Sequence, residues 1–288
     1  MSTGGVESGS VKTGRLGTGG RRMRGVTEAG PLLRLFALCG YAVLLAPAAV
    51  VLVVSFSAGE YLTFPPPGLS LRWYGTLFAN GPLMQALGTS LVLGVAVSAL
   101  ALLLGGPAAY AIARLDFPGK GVVAGLLAAP LLLPTLVLGL GLLLAFQPLR
   151  LVATWPGLML GHSLVAIPFA VRIMVQAFAA VPREVEEAAW TLGATPLRAA
   201  LRVTLPIAAP GAVAAGALAF LVSFDETVIS LFLVGPRLTT LPVVMFQYAE
   251  TRSDPLVAAL AMALIAVALV VVLLVERLVG FQRALAKE

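Results

Sequence analysis

Residues 181–206 read V-P-R-E-V-E-E-A-A-W-T-L-G-A-T-P-L-R-A-A-L-R-V-T-L-P, a charged stretch between two long apolar runs. Pro182 suits the first turn of a helix, where its missing N–H costs nothing, and Arg183 to Leu192 can continue it. Val185, Ala188, Ala189 and Leu192 recur at i, i+3, i+4 and i+7 and therefore share one face. Gly193 supplies the left-handed position that ends such a helix, and Thr195-Pro196 supply an N-cap and first position for the next. The expectation is a short helix with Ala188 and Ala189 exposed for close approach by another protein. An amphipathic helix lying on lipid has the same pattern, so the residues alone leave both readings open.

Outward from this loop the chain is a membrane protein. It is 59% hydrophobic and 11% charged, with a mean hydropathy of +1.00. Soluble domains are roughly 45–50% apolar and about 25% charged, so lipid must solvate much of this chain. Six segments are long enough to cross about 30 Å of hydrocarbon: 32–56, 85–113, 121–146, 158–180, 206–233 and 256–279. Pro107, Pro130, Pro134, Pro168 and Pro210 interrupt them, which neighbouring helices or a water-filled cavity can tolerate. Gly and Ala in the second, third and fifth runs favour close packing. The fold expected is an all-α bundle of six spans. Residues 1–29 read as a disordered tail, followed by one membrane domain over 30–288 that includes the loop 181–206. Arg21-Arg22 imitates a twin-arginine signal, but the apolar run behind it continues to Val54, too long for a signal peptide.

The basic residues set the orientation. With the amino terminus inside, 14 Lys and Arg fall in cytoplasmic segments, while Arg72, Arg150, Arg237 and Arg252 fall outside and Arg172 lies within the fourth span. Both termini are then cytoplasmic in a bacterial inner membrane, and the positive net charge of +6 is a topology signal, not a nucleic-acid signal. Cys39 is the single cysteine and His162 the single histidine, which excludes internal disulfides and Cys or His metal clusters. His162 reads as a hydrogen-bonded structural residue, Arg172 as a snorkelling one, and Trp73, Tyr74 and Trp155 as an outer aromatic belt.

Charged residues inside spans are functional candidates by default. Asp225 and Glu226 lie near the outer mouth of the fifth span. In a regular helix Ser223, Glu226, Thr227 and Ser230 form a polar stripe, while Asp225 points towards Leu221, Val222, Val228 and Ile229. Glu226 then leads as the pathway residue, with Ser223 and Ser230 beside it, and Asp225 needs an internal partner or a local break in the helix. A salt bridge from the acidic pair to another span or to a partner permease is the alternative.

The string Glu187-Ala188-Ala189, three residues, Gly193, nine residues, Val203-Thr204-Leu205-Pro206 resembles the EAA motif of binding-protein-dependent ABC importer permeases. Leu71-Arg72-Trp73-Tyr74, Ser223-Phe224-Asp225-Glu226, Gly235-Pro236 and Leu241-Pro242 are similar to the spermidine/putrescine type. Val203 stands where the family more often has Ile, and Thr89 where many relatives have Asn. The resemblance implies a type I importer permease whose loop is a coupling helix docking on a separate ATPase. Glu187, Ala188, Ala189, Gly193, Leu205 and Pro206 would carry that coupling. It implies two ATPase copies, a second permease subunit, an extracytoplasmic solute-binding protein and no cofactor. The absence of a G-x-x-x-x-G-K-[ST] loop from the sequence agrees with an ATPase on another chain. A polyamine is the first solute expected; thiamine, an iron complex or a phosphonate are alternatives. An ion-coupled secondary transporter is a further alternative, although no internal repeat supports it.

Overall fold

The computed structural model describes residues 31–285, with side chains described from 32 to 280. The expected tail over 1–29 lies outside the described residues. The chain divides into two compact units, Met1–Ala48 and Ala49–Glu288. The boundary falls within the first helix, α1 (Pro31–Ser55), between Ala48 and Ala49. The part of α1 in the first unit is apolar apart from Arg34.

In the second unit the helices are α2 (Arg72–Ala79), α3 (Gly81–Arg114), α4 (Lys120–Ala128), α5 (Thr135–Phe146), α6 (Trp155–Ala179), α7 (Arg183–Thr191), α8 (Pro196–Ala199), α9 (Leu205–Phe224), α10 (Val228–Leu233), α11 (Leu241–Thr251) and α12 (Leu256–Leu285). Among the described residues five helical segments, including α1, have the length and apolarity to cross a membrane, and a bent pair makes a sixth if it is one span. The all-α expectation holds, with two corrections to the spans.

The third run, expected over 121–146, is not one rod. α4, a short 3₁₀ turn at Ala129–Leu132 and α5 bend by 101°. Pro130 and Pro134 both sit at this break and remove donors there, whereas Pro107, Pro168 and Pro210 lie inside α3, α6 and α9 without ending them. The fifth run, expected over 206–233, stops at Phe224 and restarts at Val228. No proline is needed for that break. Asp225, Glu226 and Thr227 have side chains that compete for the backbone, and Thr227 Oγ1 donates to the Asp225 carbonyl at 3.3 Å.

α3, α6 and α9 form the centre of the bundle, with Leu93, Val97, Ala101, Ala166, Ala170, Ala215 and Ala219 fully or almost fully buried between them. In lipid the hydrophobic effect does little to bring helices together, so close packing of small residues must do it. A Cβ at Gly94 would lie 2.8 Å from the Phe220 ring, and one at Gly211 would run into Ala177, so neither position admits a larger residue without displacement. Ser98 Oγ adds a 2.7 Å bond to the Gly216 carbonyl between α3 and α9. α5 stands against α10, where Gly139 meets the ring of Phe232. Trp73, expected in an outer aromatic belt, is turned inward, and Tyr74 is half-buried. Trp73 is buried with its indole donating to the Gly59 carbonyl at 3.2 Å, and the Tyr74 hydroxyl meets Ser55 Oγ at 2.8 Å. Trp155 and Arg172 are exposed on α6.

Candidate functional site

The loop 181–206 folds as its residues dictate. Pro182 is the N-cap position, α7 runs Arg183–Thr191, and Gly193 adopts φ +88°. Gly193 N–H donates to the Trp190 carbonyl at 2.9 Å and Ala194 N–H to the Ala189 carbonyl at 3.0 Å, the paired bonds of a Schellman stop. Thr195 Oγ1 then accepts from Arg198 N–H at 3.4 Å and starts α8 with Pro196 in its first turn. A π turn at Ala200–Thr204 joins α8 to α9. Val185, Ala188 and Leu192 are exposed and Ala189 half-buried, so the face shared by these four residues is open. Glu187 and Trp190 are exposed as well, Leu205 is half-buried and Pro206 exposed. Glu186 is the one residue of α7 that is buried.

At the other end of α9 lies the acidic break. A helix of 20 residues places it about 30 Å from the loop. The polar stripe expected there is split by the break. Ser223 and Ser230 are buried and converge on His162 of α6: Nδ1 lies 2.9 Å from Ser223 Oγ and 3.1 Å from the Ser223 carbonyl, and Nε2 lies 2.8 Å from Ser230 Oγ. Ser230 Oγ also donates to the Glu226 carbonyl at 2.8 Å. The Ser223 carbonyl also receives Glu226 N–H at 3.4 Å. Both ring nitrogens of His162 are thus engaged, one on each side of the break.

The two carboxylates behave oppositely to the expectation from a regular helix. Glu226 is half-buried and accepts Ile229 N–H at 3.0 Å, capping α10. Asp225 is exposed and does not point into packed Leu and Val side chains, because the helix has already ended at Phe224.

The family model described as "Binding-protein-dependent transport system inner membrane component" matches residues 101–283. The chain belongs to that family. It is 34% identical over 231 residues to the putrescine transport system permease protein PotI of Escherichia coli K12, covering 78% of this chain and 82% of that protein. It is 31% identical over 233 residues to the spermidine/putrescine transport system permease protein PotC of the same organism, covering 81% and 88%. A chain of a bacterial ABC transporter for the import of alginate superposes with a TM-score of 0.64 at 18% identity, over 86% of this chain and 92% of that one, which shows the fold alone.

As a binding-protein-dependent permease the chain is a multi-pass inner-membrane subunit of an ABC importer, and its relatives are permease subunits, not enzymes. In this permease the structure brings Glu187, Ala188, Ala189 and Gly193 together on and beside α7, with Leu205 and Pro206 opening α9. It joins Ser223 to Ser230 through His162 and through the Glu226 backbone, and leaves Asp225 apart. Sequence reasoning missed Arg114, Glu186 and Thr204, which meet beneath α7. Glu184 and Glu187 also lie off the Val185–Ala189 face, so nothing local in the sequence singles out Glu186.

Proposed function

We propose that this permease carries a polyamine inward, driven by a separate ATPase that docks on α7 and is present in two copies. A second permease subunit completes the pathway, and an extracytoplasmic binding protein delivers the solute. Both termini are cytoplasmic, as the distribution of Lys and Arg requires. The observation that carries the coupling role is the open face of Val185, Ala188, Ala189 and Leu192, held rigidly by the Gly193 stop. Glu187 at its border, with Leu205 and Pro206 at the entry to α9, complete the coupling segment. The polyamine assignment rests on the likeness to PotI and PotC and on an exposed carboxylate, Asp225, at the far end of α9.

Asp225 leads as the cation-facing group, with Glu226 adding charge from its capping position and Ser223 and Ser230 holding the break in shape. A carboxylate and an ammonium 4 Å apart attract by about 4 kcal/mol at an effective dielectric near 20. An importer must also release its cargo, so the attraction serves capture and selection, not tight binding. Uptake of labelled putrescine and spermidine into proteoliposomes holding the complete complex tests the assignment. Asp225→Asn, which keeps shape and removes charge, is expected to lower polyamine uptake about tenfold at limiting solute, with assembly intact. Uptake of a neutral solute in place of a polyamine, or unchanged polyamine uptake in Asp225→Asn, refutes it.

A further inference from the structure

The face of α7 turned away from the open surface leads to a buried charge pair that the coupling reading leaves unused. Arg114 is the last residue of α3, Glu186 lies in α7, and Thr204 ends the π turn that leads into α9. The Arg114 and Glu186 side chains are each 5% exposed, with Arg114 Nε 3.3 Å from Glu186 Oε1. Thr204 Oγ1 donates to the same carboxylate oxygen. Arg114 Nη2 donates to the carbonyl of Val181, in the short link between α6 and α7, at 2.6 Å. One turn before Arg114, Tyr110 meets Phe178 of α6 edge-on at 5.5 Å and 86°. Four side chains or carbonyls thus join the end of α3, the end of α6, the middle of α7 and the start of α9.

A buried ion pair is a poor way to gain stability, since removing two charges from water costs about as much as their attraction returns, and an apolar pair would serve as well. What charge and hydrogen bonds supply that apolar contact does not is fixed geometry. Because Glu186 is the one buried residue of α7, that side chain is the helix's lateral attachment to the bundle. Thr204 reaches it from a π turn, a local widening often found at functional sites.

We propose that Arg114, Glu186 and Thr204 form a clasp that passes displacements of α7 to α3 and α9. These are positioning residues, acting through α7 and not by touching the ATPase or the solute. The inference rests on the reading of α7 as the docking helix, and the experiment separates the two. The complex is assembled with its ATPase and binding protein in proteoliposomes, and transport per ATP hydrolysed is measured beside ATPase co-purification and melting temperature.

Glu186→Gln keeps an acceptor for Thr204 and removes the charge. Thr204→Val keeps the shape and removes the hydrogen bond. Thr204→Val is expected to retain the ATPase and the melting temperature, and Glu186→Gln to retain the ATPase but melt lower because Arg114 is left without its counter-charge. In both, transport per ATP falls roughly twofold to thirtyfold. Arg114→Met with Glu186→Met replaces the pair by apolar contact; it is expected to restore any lost stability without restoring the ratio. Leu192→Asp, on the open face of α7, is expected to lose the ATPase itself. If Leu192→Asp loses the ATPase while Glu186→Gln and Thr204→Val keep the full ratio, the clasp is wrong and the docking helix stands. If the ratio falls only in step with melting temperature, or returns in the Met pair, the three residues are merely structural. If Leu192→Asp retains both ATPase and ratio, α7 is not the docking helix and the clasp falls with it.

Discussion

Replacing His162 by Leu tests whether the break after α9 is held by its polar knot or by the apolar residues around it. His162 is fully buried and links α6 to both sides of the break. Leu has similar bulk, so packing is largely preserved and the loss is mainly polar. Ser223 loses its partner at Nδ1, and Ser230 Oγ loses its partner at Nε2 but keeps its own bond to the Glu226 carbonyl. A buried group left unpaired costs about 1–3 kcal/mol. Interhelical bonds in membrane bundles average about 0.6 kcal/mol, because freed hydroxyls find other partners. Ser223 has such a partner within its own helix, a carbonyl one turn back. The expected loss is therefore about 1–3 kcal/mol, weighted towards the lower end. At about 2–4 °C per kcal/mol for a chain of this size, the purified complex should melt about 2–12 °C lower, towards the smaller shift. Ser223→Ala in the His162→Leu background should add almost nothing, because its partner is already gone. Full additivity in that double-mutant cycle, or an unchanged melting temperature for His162→Leu, would refute the knot as the restraint on the break.

The Gly193 stop is expected to be sensitive to backbone shape alone. A Cβ at Gly193 would meet no atom within 4 Å, so Gly193→Ala should cost about 1 kcal/mol from the left-handed backbone and Gly193→Val more, read as lower solute-stimulated ATPase with insertion intact. The inward placement of both termini predicts that cysteines at Gly68, Pro156 and Gly235, in a Cys39→Ala background, react with an impermeant thiol reagent added outside, while those at Gly119 and Ala194 do not. Labelling of Gly119 or Ala194 positions in intact cells would overturn that orientation.

Much of the fold is visible in the sequence because apolar length and charge placement are one-dimensional signals. α1, α3, α6 and α12 begin and end within a few residues of their apolar runs, and α7 is bounded by Pro182 and Gly193, whose backbone preferences act locally. The bend between α4 and α5 is marked by Pro130 and Pro134, but Pro107, Pro168 and Pro210 look identical in sequence and leave their helices continuous. What distinguishes them is whether neighbours accommodate the freed carbonyl, which is a tertiary fact. The break at Asp225–Thr227 is hidden for another reason. An acidic pair in an apolar run reads as a polar stripe on a rod, and only the capping bond from Glu226 to Ile229 shows that the rod has ended. Arg114 with Glu186, and His162 with its two serines, pair residues far apart in the chain, so no local pattern announces them.

The two hidden clusters also explain why α9 is suited to carry a displacement. At its start Thr204 is bound to Glu186, and through that carboxylate to Arg114 of α3. At its end Ser223 is bound to His162 of α6. Between them the helix presents Ala208, Ala215, Gly216 and Ala219 to its neighbours, small residues that set a short interhelical distance, and Ser98 of α3 fixes its middle at the Gly216 carbonyl. Pro210 leaves it unbroken. A rod tied at both ends and gripped in the middle moves as a body or not at all, since packed interiors do not deform continuously. On the clasp reading, a shift of α7 that reaches Thr204 arrives at Asp225 as a movement of the whole helix, and the first place able to absorb it by turning is the break at Asp225–Thr227. That is where the exposed carboxylate stands, so the same discontinuity that frees Asp225 from the helix also makes its position the one most responsive to events at the far end of α9.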